Sequence, residues 1–151
     1  MLFVQFYLDE FRYVLATKDV VEVVPCVKLK PVPQAEEYIA GLFNFRGISV
    51  PVIDLNSLLL NKPSASKLST RIILLCLKND ANESCLFGIK VEKATETIKI
   101  DEKSFKSAAV DNSHMPILGP VYADTDGLVT RINPQDILPL VNDALLFSSE
   151  S

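Results

Sequence analysis

Apolar and polar positions change places in short blocks along this chain, and the blocks are strand-sized. Leu2 to Leu8 predicts a strand, with Phe3, Gln5 and Tyr7 alternating with Val4, Phe6 and Leu8. Asp9-Glu10 is a polar turn, and Phe11 to Ala16 is the return strand of a hairpin. Thr17-Lys18-Asp19 makes a second polar turn. Val20 to Val24 is β-branched and predicted to be extended, although Glu22 interrupts its apolar run. Pro25, Pro31 and Pro33 each remove a backbone donor and predict an irregular or edge-like path. Gln34 to Ala40 fits one or two turns of helix, with Gly41 as its stop. From Gly41 to Leu55 two apolar segments flank a short polar turn near Arg46-Gly47, which predicts a β-hairpin. Asp54 to Leu60 predicts a short helix with Asp54 as its N-cap.

The one linker-like stretch follows: Asn61 to Lys67 is small, polar and contains proline. Arg71 to Leu77 and Cys85 to Val91 predict a second hairpin around Asn79-Asp80-Ala81-Asn82, and Thr95 to Ile100 a further strand. Asp101 to Met115 lacks strong periodicity and is expected to be a loop with a short helix. Ile117 to Ala123 and Leu128 to Ile132 are strands whose joining turn contains Asp126-Gly127. Asn133-Pro134 predicts a helix start, with the helix running through Leu138, and the tail from Ser148 is expected to fray. Many short strands with turns roughly every 8–12 residues argue for small barrels or a sandwich. The arrangement hints at a twofold architecture without a sequence repeat. The expected organisation is one domain over 1–151, with a first subdomain near 1–60, a linker at 61–70, a second subdomain near 71–140 and a tail at 141–151.

Composition narrows the function. Of 151 residues, 48% are hydrophobic and 23% charged, an ordinary globular balance. The formal net charge is −4, and no basic stripe exists to release phosphate counterions, so nucleic acid is not an expected partner. No apolar run approaches the ~18–20 residues of a membrane-spanning helix. The N-terminus shows no basic region before an apolar one. The expected location is therefore the cytoplasm, without direct membrane insertion. Cys26, Cys76 and Cys85 fit neither a zinc ribbon nor a CxxC pair; they are expected as buried, reduced thiols, with Cys76 and Cys85 on neighbouring strands.

Catalytic chemistry lacks its parts. The single histidine, His114, has no partner for a metal site or a Ser-His dyad and is expected on an exposed loop. Nucleophile-elbow, dinucleotide and P-loop patterns are missing. Glu36-Glu37 and Asp9-Glu10 are sequence neighbours that do not face one another on a helix or are solvated in a turn. No catalytic residue, cofactor or metal is expected. What stands out is Arg46, whose guanidinium can fork onto a partner's carboxylate or tie its own turn to Asp54 or Glu22. Asn44 can satisfy open backbone groups in the turn. Glu22 among four valines suits either a buried pair or an apolar edge that carries one charge for register.

Gly41 to Leu55 resembles the signature of CheW-like coupling proteins of bacterial chemosensory arrays, roughly G-[VIL]-x-N-x-R-G-x-x-x-P-[VI]-[VI]-D-[LI]. Gly41, Asn44, Arg46, Gly47, Pro51, Asp54 and Leu55 all stand in place. Val20-Val21-Glu22-Val23 is similar to the family's V-x-E-[IV] element, and Pro31-Val32-Pro33 to its proline-containing link. The resemblance runs from Leu2 to about Leu140 and is weaker in the second half; Glu92 stands where the family usually has aspartate. It implies an all-β fold with short helices, built of two five-stranded SH3-like β-barrels that share an apolar core, and no enzymatic activity. It implies an adaptor that bridges a chemoreceptor's cytoplasmic signalling tip and the regulatory domain of a chemotaxis-type histidine kinase, associated with membrane-bound receptor arrays. The partner-binding residues it implies are Val20, Glu22, Asn44, Arg46 and Gly47. Two alternatives stand beside it: a divergent chemosensory pathway such as surface sensing or pilus control, and a barrel that holds a small ligand in an enclosed cavity.

Overall fold

The computed structural model describes residues 1–107 and 116–141. The strands in chain order are β1 (Leu2–Leu8), β2 (Phe11–Ala16), β3 (Val20–Pro25), β4 (Ile39–Phe45), β5 (Ile48–Asp54), β6 (Arg71–Lys78), β7 (Ser84–Val91), β8 (Lys93–Lys99), β9 (Leu118–Asp124) and β10 (Gly127–Ile132). One helix, α1 (Leu55–Leu60), follows β5. The strands form two five-stranded mixed sheets, ordered β8-β1-β2-β10-β9 and β3-β6-β7-β5-β4.

Apolar runs explain the layering. Ile72 to Leu75 has no polar alternation because both of its faces are covered. Ile73 and Leu75 join Phe6, Leu8, Leu15, Ile53 and Ile89 in a central cluster between the sheets. Ile72 and Leu74 turn the other way, onto Val50 and Val52. The first sheet repeats this, with Phe3, Val14 and Val129 forming a cluster on its far side.

The sheets share one plan. In each, an outer strand (β3 or β8) carries a bulge. A lysine beyond that strand makes an isolated bridge to the opposite outer strand, Lys30 to Leu42 and Lys106 to Val121. Two hairpins are joined side by side by a parallel pair, β5 with β7 and β10 with β2. The sheets do not follow the expected division at 61–70. β1 and β2 belong with β8, β9 and β10, while β3 to β7 make up the other sheet, because the parallel pairing draws the two ends of the described chain together.

Four local expectations are corrected. Gln34 to Ala40 is not helical: Gln34 sits at φ 61, and strand pairing with β5 begins at Ile39, so tertiary pairing overrides the local propensity. Gly41 is therefore no helix stop. It lies inside β4 at φ +144, where a Cβ would come within 2.6 Å of the Lys30 carbonyl oxygen. The β9–β10 turn centres on Thr125-Asp126, with Gly127 already in the strand. Asp54 caps α1 as expected, accepting from the Ser57 N–H at 3.2 Å. Asn133 instead donates to the Pro116 carbonyl at 3.0 Å, ahead of a 3-10 turn at Pro134–Asp136 and a helical turn over 138–141.

Candidate functional site

β4 and β5 meet through a two-residue turn, with Phe45 opposite Ile48. Both turn residues take positive φ, 52° at Arg46 and 85° at Gly47. That is the primed turn whose twist matches the strands it joins. Glycine adopts this conformation freely, whereas an arginine there costs about 1 kcal/mol. The Asn44 side chain accepts the Gly47 N–H at 2.9 Å, which fixes the tip. Asn44 and Gly47 thus shape the turn and Arg46 is what the turn displays.

The Arg46 side chain is 77% exposed. Its guanidinium lies 4.7 Å from the Phe45 ring centre and 3.6 Å from a Glu22 carboxylate oxygen on β3. Glu22 is half-exposed, so the pair is screened and contributes little to stability. Of the two internal partners open to Arg46, the structure selects Glu22. Asp54 is buried and committed elsewhere: it accepts from Ser57 N–H, from Ser64 N–H at 3.0 Å and from the Ser64 hydroxyl at 2.6 Å.

On the face of this pair the exposed apolar residue is Ile48, opposite Phe45. Val21 and Val23 of β3 are exposed at the sheet edge, but Val23 stands opposite Ile73 of the central cluster, whereas Glu22 stands opposite Leu74 on the other face. Val20, singled out in the sequence, is half-buried against the central cluster. The bulge between Val20 and Glu22 puts Val20 opposite Leu75 on the inner face and Glu22 opposite Leu74 on the outer one, and no sequence pattern reveals a bulge position.

A second polar centre ties the other sheet together. Arg12 grips Asp124 with two nitrogens at 2.8 Å each and reaches the Gln5 side-chain oxygen at 2.9 Å. The Arg12 guanidinium, together with the Asp126 and Gly127 N–H groups, holds the Asp124 carboxyl down at about 2. Sequence reading missed this pair, since nothing in the sequence marks two residues so far apart as neighbours.

Among the described residues no group of three or more His, Cys, Asp or Glu side chains is placed to hold a metal. His114 lies outside the described residues. All three cysteines are free thiols. Cys76 and Cys85 stand on adjacent strands but in different registers, Cys76 opposite Leu86 and Cys85 opposite Leu77, so their side chains leave opposite faces. Cys76 is exposed rather than buried, because it leaves the outer face of β6 one step beyond Leu74, where that face's cover ends, while Leu77 on the inner face stays buried. Two surface grooves of about 340 and 260 Å³ are open and lined largely by polar side chains. No helix among the described residues is long and apolar enough to cross a membrane.

Two sheets packed on a shared apolar cluster, with Arg46 displayed at one hairpin tip, have the form of a binding scaffold. Comparison with known proteins gives that class a family. A CheW-like domain match spans residues 2–141. The chain is 28% identical over 149 residues to the chemotaxis protein CheW of Bacillus subtilis (strain 168), covering 97% of this chain and 86% of that protein. It is 24% identical over 139 residues to the chemotaxis protein CheW of Helicobacter pylori (strain ATCC 700392 / 26695), covering 90% and 80%. The crystal structure of the scaffolding protein TtCheW from Thermoanaerobacter tengcongensis matches with a TM-score of 0.75 at 28% identity, over 87% of this chain and 83% of that one. The chain belongs to the CheW-like domain family, non-catalytic scaffolds of chemotaxis signal transduction.

Proposed function

We propose that this protein couples a chemoreceptor's cytoplasmic signalling tip to the regulatory domain of a chemotaxis-type histidine kinase, and that it does so through β3 and the β4–β5 tip. Arg46 carries the reading. It occupies a backbone conformation unfavourable for arginine and projects 77% exposed beside a screened carboxylate, so its own fold gains little from it. A residue kept at a local cost is a residue kept for a partner. Glu22 holds the guanidinium in register until a partner's carboxylate or carbonyls replace it. Ile48 supplies apolar contact area beside the arginine, with Val21 and Val23 exposed at the edge of β3, and Val20 sets the seat of β3. Asn44 and Gly47 present the arginine rather than touch the partner. The test is direct binding of the purified protein to the signalling domain of its cognate receptor and to the regulatory domain of its cognate kinase. Binding to neither would overturn the proposal.

A further inference from the structure

The displayed arginine rests on an aromatic ring that the sheet holds in place. Phe43 and Phe45 stand two positions apart on β4, so both side chains leave the same face of the strand. Their rings lie 26° from parallel with centres 6.3 Å apart. Both are half-buried and pack against the cluster of Val50, Val52, Ile72 and Leu74. The Phe45 ring is thus seated by its neighbours, and it carries the Arg46 guanidinium 4.7 Å from its centre.

Asn44 and Gly47 fix the backbone of the tip, but the guanidinium stands several rotatable bonds further out. Its direction needs a contact of its own. An exposed arginine otherwise spreads over many rotamers, and ordering it on binding lowers affinity. Glu22 holds it weakly, since 3.6 Å is too long for a good hydrogen bond and the carboxylate is half-exposed. A guanidinium is flat: its face can lie on a ring while its N–H groups, pointing outward in its own plane, fork onto a carboxylate. The ring contact and the carboxylate contact use different parts of the group. A partner can therefore displace Glu22 without lifting Arg46 off Phe45. Glu22 also marks the chemistry of the exchange, because the group now facing the guanidinium is itself a carboxylate.

We propose that Phe45 is a positioning residue for Arg46: the guanidinium lies along its ring with the in-plane N–H groups aimed outward, and they take one carboxylate of the partner in place of that of Glu22. This role rests on the coupling reading for the partner's identity. The experiment titrates the cognate kinase regulatory domain and the receptor signalling domain separately into the full chain and its variants. These are Phe45→Leu, Phe45→Tyr, Arg46→Lys, Arg46→Ala and the double variant Phe45→Leu with Arg46→Ala. In the complex that Arg46→Ala weakens, Phe45→Leu is expected to weaken binding about three- to fivefold. Once Arg46 is alanine, Phe45→Leu is expected to change nothing further. Phe45→Tyr keeps the ring and should bind like the unaltered chain. Arg46→Lys keeps the charge but not the fork, and should lose about as much as Arg46→Ala. Proton NMR of the free chain should show the Arg46 side-chain protons shifted upfield by the ring, a shift that Phe45→Leu abolishes. Equal losses from Phe45→Leu in both Arg46 backgrounds would overturn the role, by showing that the ring serves the fold or touches the partner itself. So would loss of the ring shift with affinity unchanged, or no ring shift in the unaltered chain. Full affinity in Arg46→Lys would overturn the carboxylate fork. Each of these leaves the coupling reading intact. Binding that Arg46→Ala leaves unchanged would overturn the part assigned to Arg46 and this role with it, and binding of the unaltered chain to neither domain would overturn the coupling reading as well.

Discussion

Replacing Arg46 with asparagine should separate stability from binding. Three contributions change in the free protein. The ion pair to Glu22, 3.6 Å long and exposed, is lost at a cost of about 0.2–0.5 kcal/mol. The contact with the Phe45 ring, 4.7 Å to its centre, goes for about 0.5 kcal/mol. Against these, asparagine before Gly47 is the preferred pair for a turn with φ of 52° and 85°, which returns about 1 kcal/mol. The net change in folding free energy is close to zero. Arg46→Ala loses the same two contacts without relieving the backbone, so it should sit about 1 kcal/mol below the starting protein. Both variants should lose about 2 kcal/mol of binding to kinase or receptor domain, roughly thirtyfold in Kd, as a central arginine does in an interface. Urea denaturation gives the first quantity and calorimetric titration the second. If Arg46→Asn lowered stability by more than about 2 kcal/mol, the arginine would be a structural tie and the argument for display would collapse.

Other expectations follow from the remaining polar and backbone features. Asp124 titrates at about 2 in the folded chain against an ordinary 3.8. Because the folded value is the lower one, its stabilisation is complete above pH 5 and drains away as pH falls from 3.8 towards 2. Acid denaturation should therefore show the unaltered protein losing about 1 kcal/mol between pH 5 and pH 3 that Asp124→Asn does not lose; equal losses would refute the assignment. At pH 7 that variant should be about 2 kcal/mol less stable, since Asp124 is only 25% exposed and Arg12 is left without its carboxylate. Gly41→Ala should cost about 3 kcal/mol, because a Cβ would stand 2.6 Å from the Lys30 oxygen at a strained φ, and amide exchange at Leu42 should speed up as the Lys30 bridge opens. Ser64→Ala should cost about 1–2 kcal/mol by removing the 2.6 Å hydroxyl bond to buried Asp54, read as a lowered urea midpoint.

Much of the fold was legible because most strands announce themselves locally. Leu2–Leu8, Phe11–Ala16, Arg71–Lys78 and Ser84–Val91 are alternating or wholly apolar runs bounded by turn residues, and each forms where expected. The β4–β5 hairpin and the Asp54 cap were equally plain, since each depends on residues a few positions apart. What stayed hidden depends on distant residues. Gln34 to Ala40 has helical propensity, yet pairing with β5 claims its end. The bulge in β3 decides that Glu22 leaves the outer face while Val20 packs inward. The 61–67 stretch looks slack because its anchors, Asp54, Asn56 and Thr70, lie at or beyond its borders. Of the candidate site, Glu22, Arg46 and an apolar edge around β3 are legible in the sequence, and the structure brings Glu22 and Arg46 together; which face each β3 residue takes is not legible.

The pairing of β1 and β2 with β8 and β10 also sets an order of events on the ribosome. β3 to β7 lie within Val20 to Val91 and can close their sheet once that stretch has emerged. The first hairpin emerges earlier; β1 gains β8 once Lys99 has been made, but β2 waits for β10, complete at Ile132, 41 residues after β7. At ~5–20 residues per second that interval lasts roughly 2–8 s. Throughout it, Val14 on β2 lacks Val129, and the central cluster lacks Ile117 and Ile132. The nascent chain is most open to chaperones, and to wrong partners, in those seconds, and slower translation between β7 and β10 should lower soluble yield more than slower translation anywhere inside β3 to β7.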